Sequence, residues 1–228
     1  MKEYLFIGFI PKLIEAGKLH IAVYYIAIVL CAVIGYLLGS VNPAIIISKL
    51  KYHDDIRTHG SGNAGSTNML RTYGKGAAAL TLLCDFLKCA VAVLLARFLC
   101  GYDWGALAGM CCAIGHAFPC FYGFKGGKCV AVTASMLLCM EPVCFLIALV
   151  VFVLIVLFTK YVSLASVITA MLMPVVYYNF FSSKYHIGHG SLAVGFLFVA
   201  CMLLVFLHRE NISRLREGKE HKIGEKRQ

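Results

Sequence analysis

The chain has 228 residues, of which 61% are hydrophobic and only 14% are charged, whereas a soluble domain carries about 25% charged residues. The mean hydropathy of +0.82 excludes an ordinary water-soluble globule and a disordered chain, and it indicates an integral membrane protein. The formal net charge is +10. Because little length is left for a separate soluble domain, we do not expect the chain to bind nucleic acid. We expect the positive charges to interact with anionic lipid or with an anionic substrate.

The apolar residues form seven runs, and a bilayer core requires about 20 such residues for one spanning helix. The runs cover residues 21–49, 76–100, 104–119, 129–140, 143–158, 163–181 and 191–207. Pro43 lies inside the first run, where we expect a kink, and the fourth run is short for a complete crossing. We therefore predict an all-α integral membrane fold with about seven transmembrane helices.

The segments outside these runs predict the domain organisation. Residues 1–20 mix lysines with a short apolar stretch broken by Pro11, which argues against a cleaved signal peptide and is typical of an interfacial helix. Residues 21–208 form the polytopic membrane domain, and residues 209–228 form a tail with seven Lys or Arg and four Glu. The positive-inside rule places this tail in the cytoplasm. Seven alternating crossings then place the N-terminus outside and every long polar segment, including 49–75, on the cytoplasmic face.

The 11 cysteines show no CxxC spacing and lie mostly in the apolar runs. An odd number of cysteines at irregular spacing argues against a disulfide framework and against a zinc site. We interpret them as small apolar packing residues, and we expect neither a bound metal nor a cofactor.

The polar segment 55–75 has the composition of a phosphate-binding loop. It is dense in Gly, Ser, Asn and Thr, and it carries Arg57, Arg71 and Lys75. Glycines allow backbone N–H groups to converge on an anion, and the planar guanidinium of Arg suits phosphate. Its glycines repeat the spacing G-x-G-x-x-G, but no strand precedes them, which excludes a dinucleotide fold. The alternative is a flexible hydrophilic loop.

Three further polar patches lie beside or inside the apolar runs. The sequence KGGK at 125–128 opens a helix whose N-terminus favours an anion, unless its lysines are ordinary cytoplasmic helix-end charges. Ser40 and Asn42 lie at membrane depth, where they either line a cavity or pack against another helix. His208 follows the last run and begins either a site or a headgroup anchor that includes Arg209.

Taken in chain order, six segments resemble the acyl-phosphate:glycerol-3-phosphate acyltransferase (PlsY) family of bacterial membranes. They are LGSVNP at 38–43, DIRTHGSGNAGSTNMLR at 55–71, LCDFLK at 83–88, GHAFPCFYGFKGGK at 115–128, YVSLAS at 161–166 and HRENISRL at 208–215. The resemblance covers nearly the whole chain from about residue 30. It implies a seven-helix membrane fold with its active site at the cytoplasmic face of the bacterial cytoplasmic membrane.

The same resemblance implies transfer of a fatty acyl group from acyl phosphate to the 1-hydroxyl of glycerol 3-phosphate. The products are lysophosphatidic acid and phosphate, in the first acylation of phospholipid synthesis, and the partners are these two substrates and membrane lipid. The residues implied as catalytic are Ser40, Lys128, His208 and Asn211. The residues implied as substrate-binding are Arg57, Ser61, Gly62, Asn63, Thr67, Asn68, Arg71, Lys125, Gly126, Gly127, and Ser163 or Ser166.

The resemblance also implies roles for some of these side chains. Arg57 and Lys128 are expected to hold phosphate groups. Ser40, His208 and Asn211 are expected to position the glycerol hydroxyl and the reacting carbonyl.

Two positions depart from the family pattern. Cys129 stands where the family usually has the last Gly of KGGKG. A positive φ would strain this cysteine by about 1–2 kcal/mol, whereas a place in the first helical turn would leave it unstrained. Asn42 lies between Val41 and Pro43, and it displaces the family's usual proline by one residue.

The histidines bear on the mechanism. None of the eight has Asp five positions later, so the H-x-x-x-x-D pair of soluble-type glycerolipid acyltransferases is missing. We expect catalysis by phosphate positioning and charge stabilisation, with an oxygen of the acyl phosphate taking the proton, as the resemblance implies. His208 as a lone base is the alternative. His116 is interpreted either as a packing residue or as an acid–base group.

Two other functions are compatible with parts of the sequence. A membrane transporter of a phosphorylated solute shares the basic loops, but a carrier usually shows repeated halves, and no internal repeat is visible here. A non-catalytic scaffold that binds anionic lipid would explain the tail but not the loop rich in Gly, Asn and Ser.

Overall fold

The computed structural model describes residues 7–185 and 192–224, and within these ranges the chain forms helices and no β-strand. The helices are α1 (Phe9–Glu15), α2 (Ile21–Ser40), α3 (Pro43–Tyr52), α4 (Ser66–Tyr73), α5 (Lys75–Cys100), α6 (Tyr102–Ala117), α7 (Val130–Met140), α8 (Pro142–Thr159), α9 (Val162–Tyr185), α10 (Leu192–Leu207) and α11 (Arg209–Arg216). Two short 3₁₀ turns cover Ile56–Thr58 and Cys120–Tyr122. The all-helical prediction is confirmed for these residues.

Among the described residues, five helical units are long and apolar enough to cross a bilayer, and a bent pair counts as a sixth if it forms one span. The five cover Ile21–Tyr52, Lys75–Cys100, Tyr102–Tyr122, Pro142–Thr159 and Val162–Ser183. The sixth joins α10 and α11, whose axes bend by 51°. Helix α7 has 11 residues, and at a rise of about 1.5 Å per residue it is about half as long as the hydrocarbon core is thick. Both the crossing that α7 would add and the sidedness of the termini therefore stay predictions.

Helix α6 lies at the centre of the bundle and packs against α2, α5, α7 and α10. Small residues allow α2 and α6 to cross closely. A Cβ atom at Gly39 would overlap the backbone of Cys112, and one at Gly115 would overlap the carbonyl of Tyr36. This close crossing brings the end of α2 next to the end of α6, where two of the predicted polar patches begin.

The outer faces of the helices are apolar and exposed. Val29 on α2, Val91 on α5, and Val150 and Leu157 on α8 are each more than half exposed. Contiguous apolar surface of this extent is unfavourable in water, because burial of apolar area is worth about 25 cal/mol per Å². A lipid environment removes this cost, which agrees with the composition.

The first span is broken at the predicted position. Helix α2 ends at Ser40, and α3 begins at Pro43. At the first helical position the missing N–H of proline costs no hydrogen bond, because an N–H there has no acceptor within the helix. The side chain of Asn42 caps α3 by accepting a hydrogen bond of 3.1 Å from the backbone N–H of Ile45. The kink expected at Pro43 is therefore a capped break between two helices.

Helix α1 packs on the end of α5. The ring of Phe9 stacks on that of Phe98 with centroids 5.8 Å apart. Gly8, with φ of 96°, lies so close to Cys100 that a Cβ atom would overlap its backbone. Residues 8–15 of the N-terminal extension are thus docked on the bundle, and the place of the extension at the membrane interface stays a prediction.

Candidate active site

A cavity of about 760 Å³ is enclosed by residues 60–71, which include the start of α4, and by helices α5 to α11. Its polar lining residues are Ser61, Asn63, Ser66, Thr67, Asn68, Arg71, Asp85, His116, Lys128, Thr133, Ser163, Ser166, Thr169, His208, Asn211, Arg214, Glu220 and His221. Its apolar lining includes Leu82, Phe86, Leu137, Phe145, Phe152, Met173, Leu197 and Leu204. A cavity with both kinds of wall suits an amphiphile that has an anionic head and a hydrocarbon chain.

A chain of hydrogen bonds links four polar side chains of this cavity. The ammonium of Lys128 donates to Oδ1 of Asn211. Nδ2 of Asn211 donates to Oε1 of Glu220 at 2.6 Å, and Nε of Arg214 donates to Oε2 of the same carboxylate at 2.8 Å. Both ends of the Asn211 amide are engaged, so its orientation is determined. Burial lowers the pKa of Lys128, with Arg214 as the next cause.

His208 lies at the bend between α10 and α11 and is buried in the cavity wall. Its Nδ1 is 2.8 Å from the backbone carbonyl oxygen of Leu204. A carbonyl only accepts hydrogen bonds, so in the neutral ring Nδ1 carries the hydrogen and Nε2 is an acceptor. This tautomer can accept a hydrogen bond from a substrate hydroxyl.

The C-terminal segment returns to the cavity after α11. The backbone N–H of Ile223 donates to the carbonyl of Lys160 at 2.8 Å, and Nζ of Lys222 lies 5.6 Å from the ring centroid of Tyr161. These contacts with the α8–α9 turn hold Glu220 in the buried position that faces Asn211. Burial acts to raise the pKa of Glu220, but hydrogen bonds from Asn211 and Arg214 outweigh it, and the pKa is lowered.

Asn68 organises the glycine-rich loop. Its Nδ2 donates to the carbonyls of Ile56 and His59 at 3.1 and 2.9 Å, and its Oδ1 accepts from the N–H of Ser61 at 3.1 Å. Gly60, with φ of 59°, passes so close to Asn68 that a Cβ atom would overlap Oδ1. The loop has a defined shape built around a buried amide, which argues against the flexible-loop alternative.

The N-terminal end of α4 meets the cavity. Gly65, Ser66 and Thr67 line it together with Arg71, which lies one turn further along the helix. A helix N-terminus presents backbone N–H groups and partial positive charge, and Arg adds a full positive charge. This end of the cavity can therefore bind an anionic group such as a phosphate.

Residues 29–218 match the family model described as glycerol-3-phosphate acyltransferase. The chain belongs to this family. A glycerol-3-phosphate acyltransferase of Clostridioides difficile (strain 630) is 43% identical over 88% of this chain and 97% of its own length. One of Bordetella pertussis (strain Tohama I / ATCC BAA-589 / NCTC 13251) is 43% identical over 86% of this chain and 91% of its own. These matches favour the enzyme over the transporter and scaffold alternatives.

Two solved structures are similar to this acyltransferase. The crystal structure of PlsY, an integral membrane glycerol 3-phosphate acyltransferase, in its glycerol 3-phosphate form has a TM-score of 0.78 and 35% identity, covering 86% of this chain and 96% of that one. Its lysophosphatidic acid form has a TM-score of 0.75 and 33% identity, covering 86% and 95%. The resemblance inferred from the sequence and the integral membrane fold class are thereby confirmed.

The structure brings most of the predicted site residues of this acyltransferase to one cavity. Those that line it are Ser61, Asn63, Thr67, Asn68, Arg71, Lys128, Ser163, Ser166, His208 and Asn211. Those placed outside its lining are Ser40, Arg57, Gly62, Lys125, Gly126 and Gly127. The functional roles of both groups stay predictions, and the second group has structural contacts of its own.

Arg57 is engaged by the protein. Its guanidinium pairs with Asp55 through Nη2–Oδ2 at 2.7 Å and Nε–Oδ1 at 3.0 Å, and its Nη1 donates to the carbonyl of Tyr122 at 2.8 Å. This pairing lowers the pKa of Asp55 to about 2. Arg57 thus links the start of the glycine-rich loop to the segment before α7, and its side chain does not line the cavity.

Ser40 and the glycines before Lys128 also support the cavity from behind. Oγ of the buried Ser40 accepts a hydrogen bond of 3.4 Å from the N–H of Cys120. The N–H groups of Gly126 and Gly127 donate to the carbonyls of Ala117 and His116 at 3.1 and 3.0 Å. These bonds pair the loop with the end of α6, and the role of Gly126 and Gly127 in substrate binding stays a prediction. Gly62 lies in a turn closed by its own N–H to the carbonyl of His59, and Lys125 is exposed.

Cys129 adopts the strained alternative of the two considered. Its φ is 65°, in the left-handed region that favours glycine. The residue is fully buried, and its Sγ donates to the carbonyl of Ala113 at 3.1 Å. The family's usual glycine at this position is explained by the same backbone conformation.

Five acidic or basic residues that line the cavity were not among the predicted site residues: Asp85, His116, Arg214, Glu220 and His221. Of these, His116 had been considered as an acid–base group. Asp85 carries a recognisable signal, because an ionisable side chain inside an apolar run is costly and marks function by default. Glu220 carries no such signal in the sequence, since it is one of several acidic residues in a basic tail. Among the described residues, no group of three or more His, Cys, Asp or Glu side chains could hold a metal ion.

Proposed function

We propose that this acyltransferase transfers a fatty acyl group from an acyl phosphate to the 1-hydroxyl of glycerol 3-phosphate, and releases phosphate and lysophosphatidic acid. The solved relatives are named for glycerol 3-phosphate and lysophosphatidic acid forms, which supports this acceptor and this product. The donor is supported by the residue pattern from which the family resemblance was drawn.

The observation that carries the proposal is the composition of the cavity. Arg71, Lys128 and Arg214 supply three cationic groups to one cavity, and the apolar side chains of α5, α7, α8, α9 and α10 supply the rest of its wall. Two phosphorylated substrates need several cations, because phosphate is bound mainly by charge-assisted hydrogen bonds. A fatty acyl chain needs an apolar wall. The cavity has both.

The reaction requires little covalent chemistry from the protein. The 1-hydroxyl oxygen of glycerol 3-phosphate attacks the acyl carbonyl carbon, the bond from that carbon to the phosphate oxygen breaks, and the hydroxyl proton passes to an oxygen of the departing phosphate. Lys128 stabilises the negative charge on the phosphate, and Asn211 holds the ammonium of Lys128 in place. Ser163 and Ser166, at the start of α9, line the same cavity as Lys128 and Asn211.

His208 has a positioning role in this proposal. Its Nε2 is the acceptor nitrogen, so it can orient the glycerol hydroxyl by accepting its hydrogen bond. A full proton transfer to His208 is the lone-base alternative. A His208→Gln variant retains a hydrogen-bonding group but not a base, so the positioning role predicts a variant that is slower than wild type yet keeps its pH profile.

The proposal places the cavity at the cytoplasmic face of a bacterial cytoplasmic membrane. The basic residues of the tail and of the 49–75 segment support this orientation through the positive-inside rule. Two C-terminal fusions test this orientation. A fluorescent protein fusion that is bright in cells and an alkaline phosphatase fusion that is inactive together support a cytoplasmic C-terminus. The opposite pair of results contradicts it.

The donor is tested with the purified full-length protein in detergent. Palmitoyl phosphate and palmitoyl-coenzyme A are offered separately with labelled glycerol 3-phosphate, and lysophosphatidic acid and phosphate are quantified. We expect equal amounts of both products with palmitoyl phosphate, and no transfer with the thioester. Transfer from the thioester at a comparable rate contradicts the proposed donor but leaves the family assignment in place.

A further inference from the structure

Three ionisable side chains that the reaction scheme does not use meet at the wall of the cavity. They are Asp85 and Lys88 of α5 and His116 of α6. Nζ of Lys88 lies 2.8 Å from Oδ1 of Asp85 and 3.0 Å from Nδ1 of His116, and that Oδ1 lies 3.2 Å from the same ring nitrogen. The side chains of Asp85, Lys88 and His116 are 3%, 8% and 5% exposed. Buried ionisable groups in a membrane helix are costly to keep.

Lys88 holds the broken end of α2. Its ammonium donates to the carbonyl of Gly39 at 3.0 Å and to that of Val41 at 2.7 Å. These two residues flank Ser40. The last carbonyls of a helix lack partners within it and carry partial negative charge, so a cation is favoured there. The ammonium therefore determines where α2 stops and where the backbone of Ser40 lies.

His116 holds the loop that precedes α7. Its carbonyl accepts the N–H of Gly127. Its ring lies so close to Gly127 that a Cβ atom there would overlap Nε2. Lys128 follows immediately, so the position of its ammonium depends on where the ring of His116 lies. Both Asp85 and His116 also line the cavity.

We propose that Asp85, Lys88 and His116 form one positioning cluster, which sets the distance between the Ser40 segment and the Lys128 loop. Asp85 is the buried anion that balances the Lys88 cation, as a buried charge requires a partner. Lys88 contacts one segment, His116 contacts the other, and Nδ1 of His116 joins them. The cluster acts through the two segments that it holds. This inference rests on the proposed function only through the transfer assay.

The experiment compares two replacements of His116. An Asn side chain places its amide oxygen at the level of Nδ1, where it can still accept from Lys88, whereas Leu fills the space without an acceptor. We expect His116→Asn to stay within about threefold of the wild-type kcat, and His116→Leu to lose about 100-fold in kcat, the scale of loss for a displacement of about 1 Å. The KM for glycerol 3-phosphate should change far less than kcat in both.

A second variant covers the case in which His116→Leu fails to fold. The double variant Asp85→Asn/Lys88→Gln removes both charges together, so it leaves no unpaired buried ion. The Gln side chain at position 88 is shorter than that of Lys, and its amide cannot reach the carbonyls of both Gly39 and Val41. We expect it to fold and to lose at least about tenfold in kcat. Ser135→Ala is the matched control. Ser135 lies outside the cavity lining, and the substitution removes its partly buried hydrogen bond of 2.7 Å to the backbone carbonyl of Phe86, so it should lower the melting temperature without lowering kcat.

Three outcomes overturn the inference. In the first, folded His116→Asn is as inactive as His116→Leu and has lost the acidic limb of the wild-type pH profile, which is the result expected of a general base. In the second, His116→Leu or the double variant retains the wild-type kcat. In the third, the variants lose activity only in proportion to unfolded protein, as Ser135→Ala would. An inactive wild type with palmitoyl phosphate would instead contradict the proposed donor.

Discussion

The side-chain amide of Asn211 donates a hydrogen bond of 2.6 Å to the carboxylate of Glu220, which lies nine residues further along the chain and outside the matched family segment. The same amide accepts from Lys128. An acidic residue of the tail therefore fixes the orientation of the Asn211 amide toward Lys128, the proposed catalytic lysine.

Replacement of Glu220 should disturb this arrangement. Glu220→Ala removes the acceptor of Asn211 Nδ2 and the nearer of the two carboxylates that pair with Arg214, since Glu210 lies 4.0 Å away. We expect kcat to fall by about 10- to 100-fold, as for loss of a charge-assisted hydrogen bond worth about 1.5–3 kcal/mol. Steady-state kinetics in detergent measures it. Glu217→Gln is the control, because Glu217 is exposed and bonds only within the tail. Equal activity of the two variants would contradict the role of Glu220.

Lys128 and Lys125 should differ sharply despite being three positions apart. Lys128→Met removes a cation that lines the cavity, and we expect kcat to fall by about 100- to 1000-fold, as for loss of one preorganised charge-stabilising donor. Lys125 is exposed and lies outside the cavity lining, so Lys125→Met should stay within about threefold. The same transfer assay compares them. A Lys125→Met variant that is as slow as Lys128→Met would mean that the loop is positioned differently.

The strain at Cys129 predicts an unusual order of stabilities. At an ordinary buried position, a variant with Ala is more stable than a variant with Gly. At Cys129, however, relief of the positive φ is worth about 1–2 kcal/mol, whereas the lost methyl group costs about 0.8 kcal/mol. We expect Cys129→Gly to be more stable than Cys129→Ala by a few tenths to about 1 kcal/mol. Thermal unfolding in detergent measures the difference. At Cys112, which is buried in α6, the order should be reversed, because Gly is costly within a helix.

The Asp55–Arg57 clamp predicts a pH dependence. The pKa of Asp55 is about 2 in the folded state, below the value of about 3.9 expected in the unfolded chain. Its contribution to stability is therefore fully present above about pH 4 and is lost as pH falls toward 2. We expect Asp55→Asn to lower the melting temperature at pH 7, and the gap from wild type to narrow as pH falls below about 4. Glu15→Gln, at an exposed position, should show no such change.

Local information was sufficient for much of this protein. Apolar runs predicted the helices because each spanning helix must be apolar over a length set by the bilayer, and observed helices such as Lys75–Cys100 follow those runs closely. The break at Pro43 followed from the missing N–H of proline. Segments such as 55–71 carried the family resemblance, because side chains that bind phosphate recur at fixed spacing along a loop.

Only the tertiary structure decided which of these side chains face one another. The resemblance predicts that Arg57 holds a phosphate group, and only the structure shows that its guanidinium pairs with Asp55, two residues away. Asp85 and His116 are 31 positions apart, so no search at fixed spacing can pair them, and packing of α5 on α6 brings them to 3.2 Å. Glu220 reaches the cavity because the tail folds back on the α8–α9 turn. Such contacts depend on how helices cross, and a crossing is determined by the shapes of two surfaces that lie far apart in sequence.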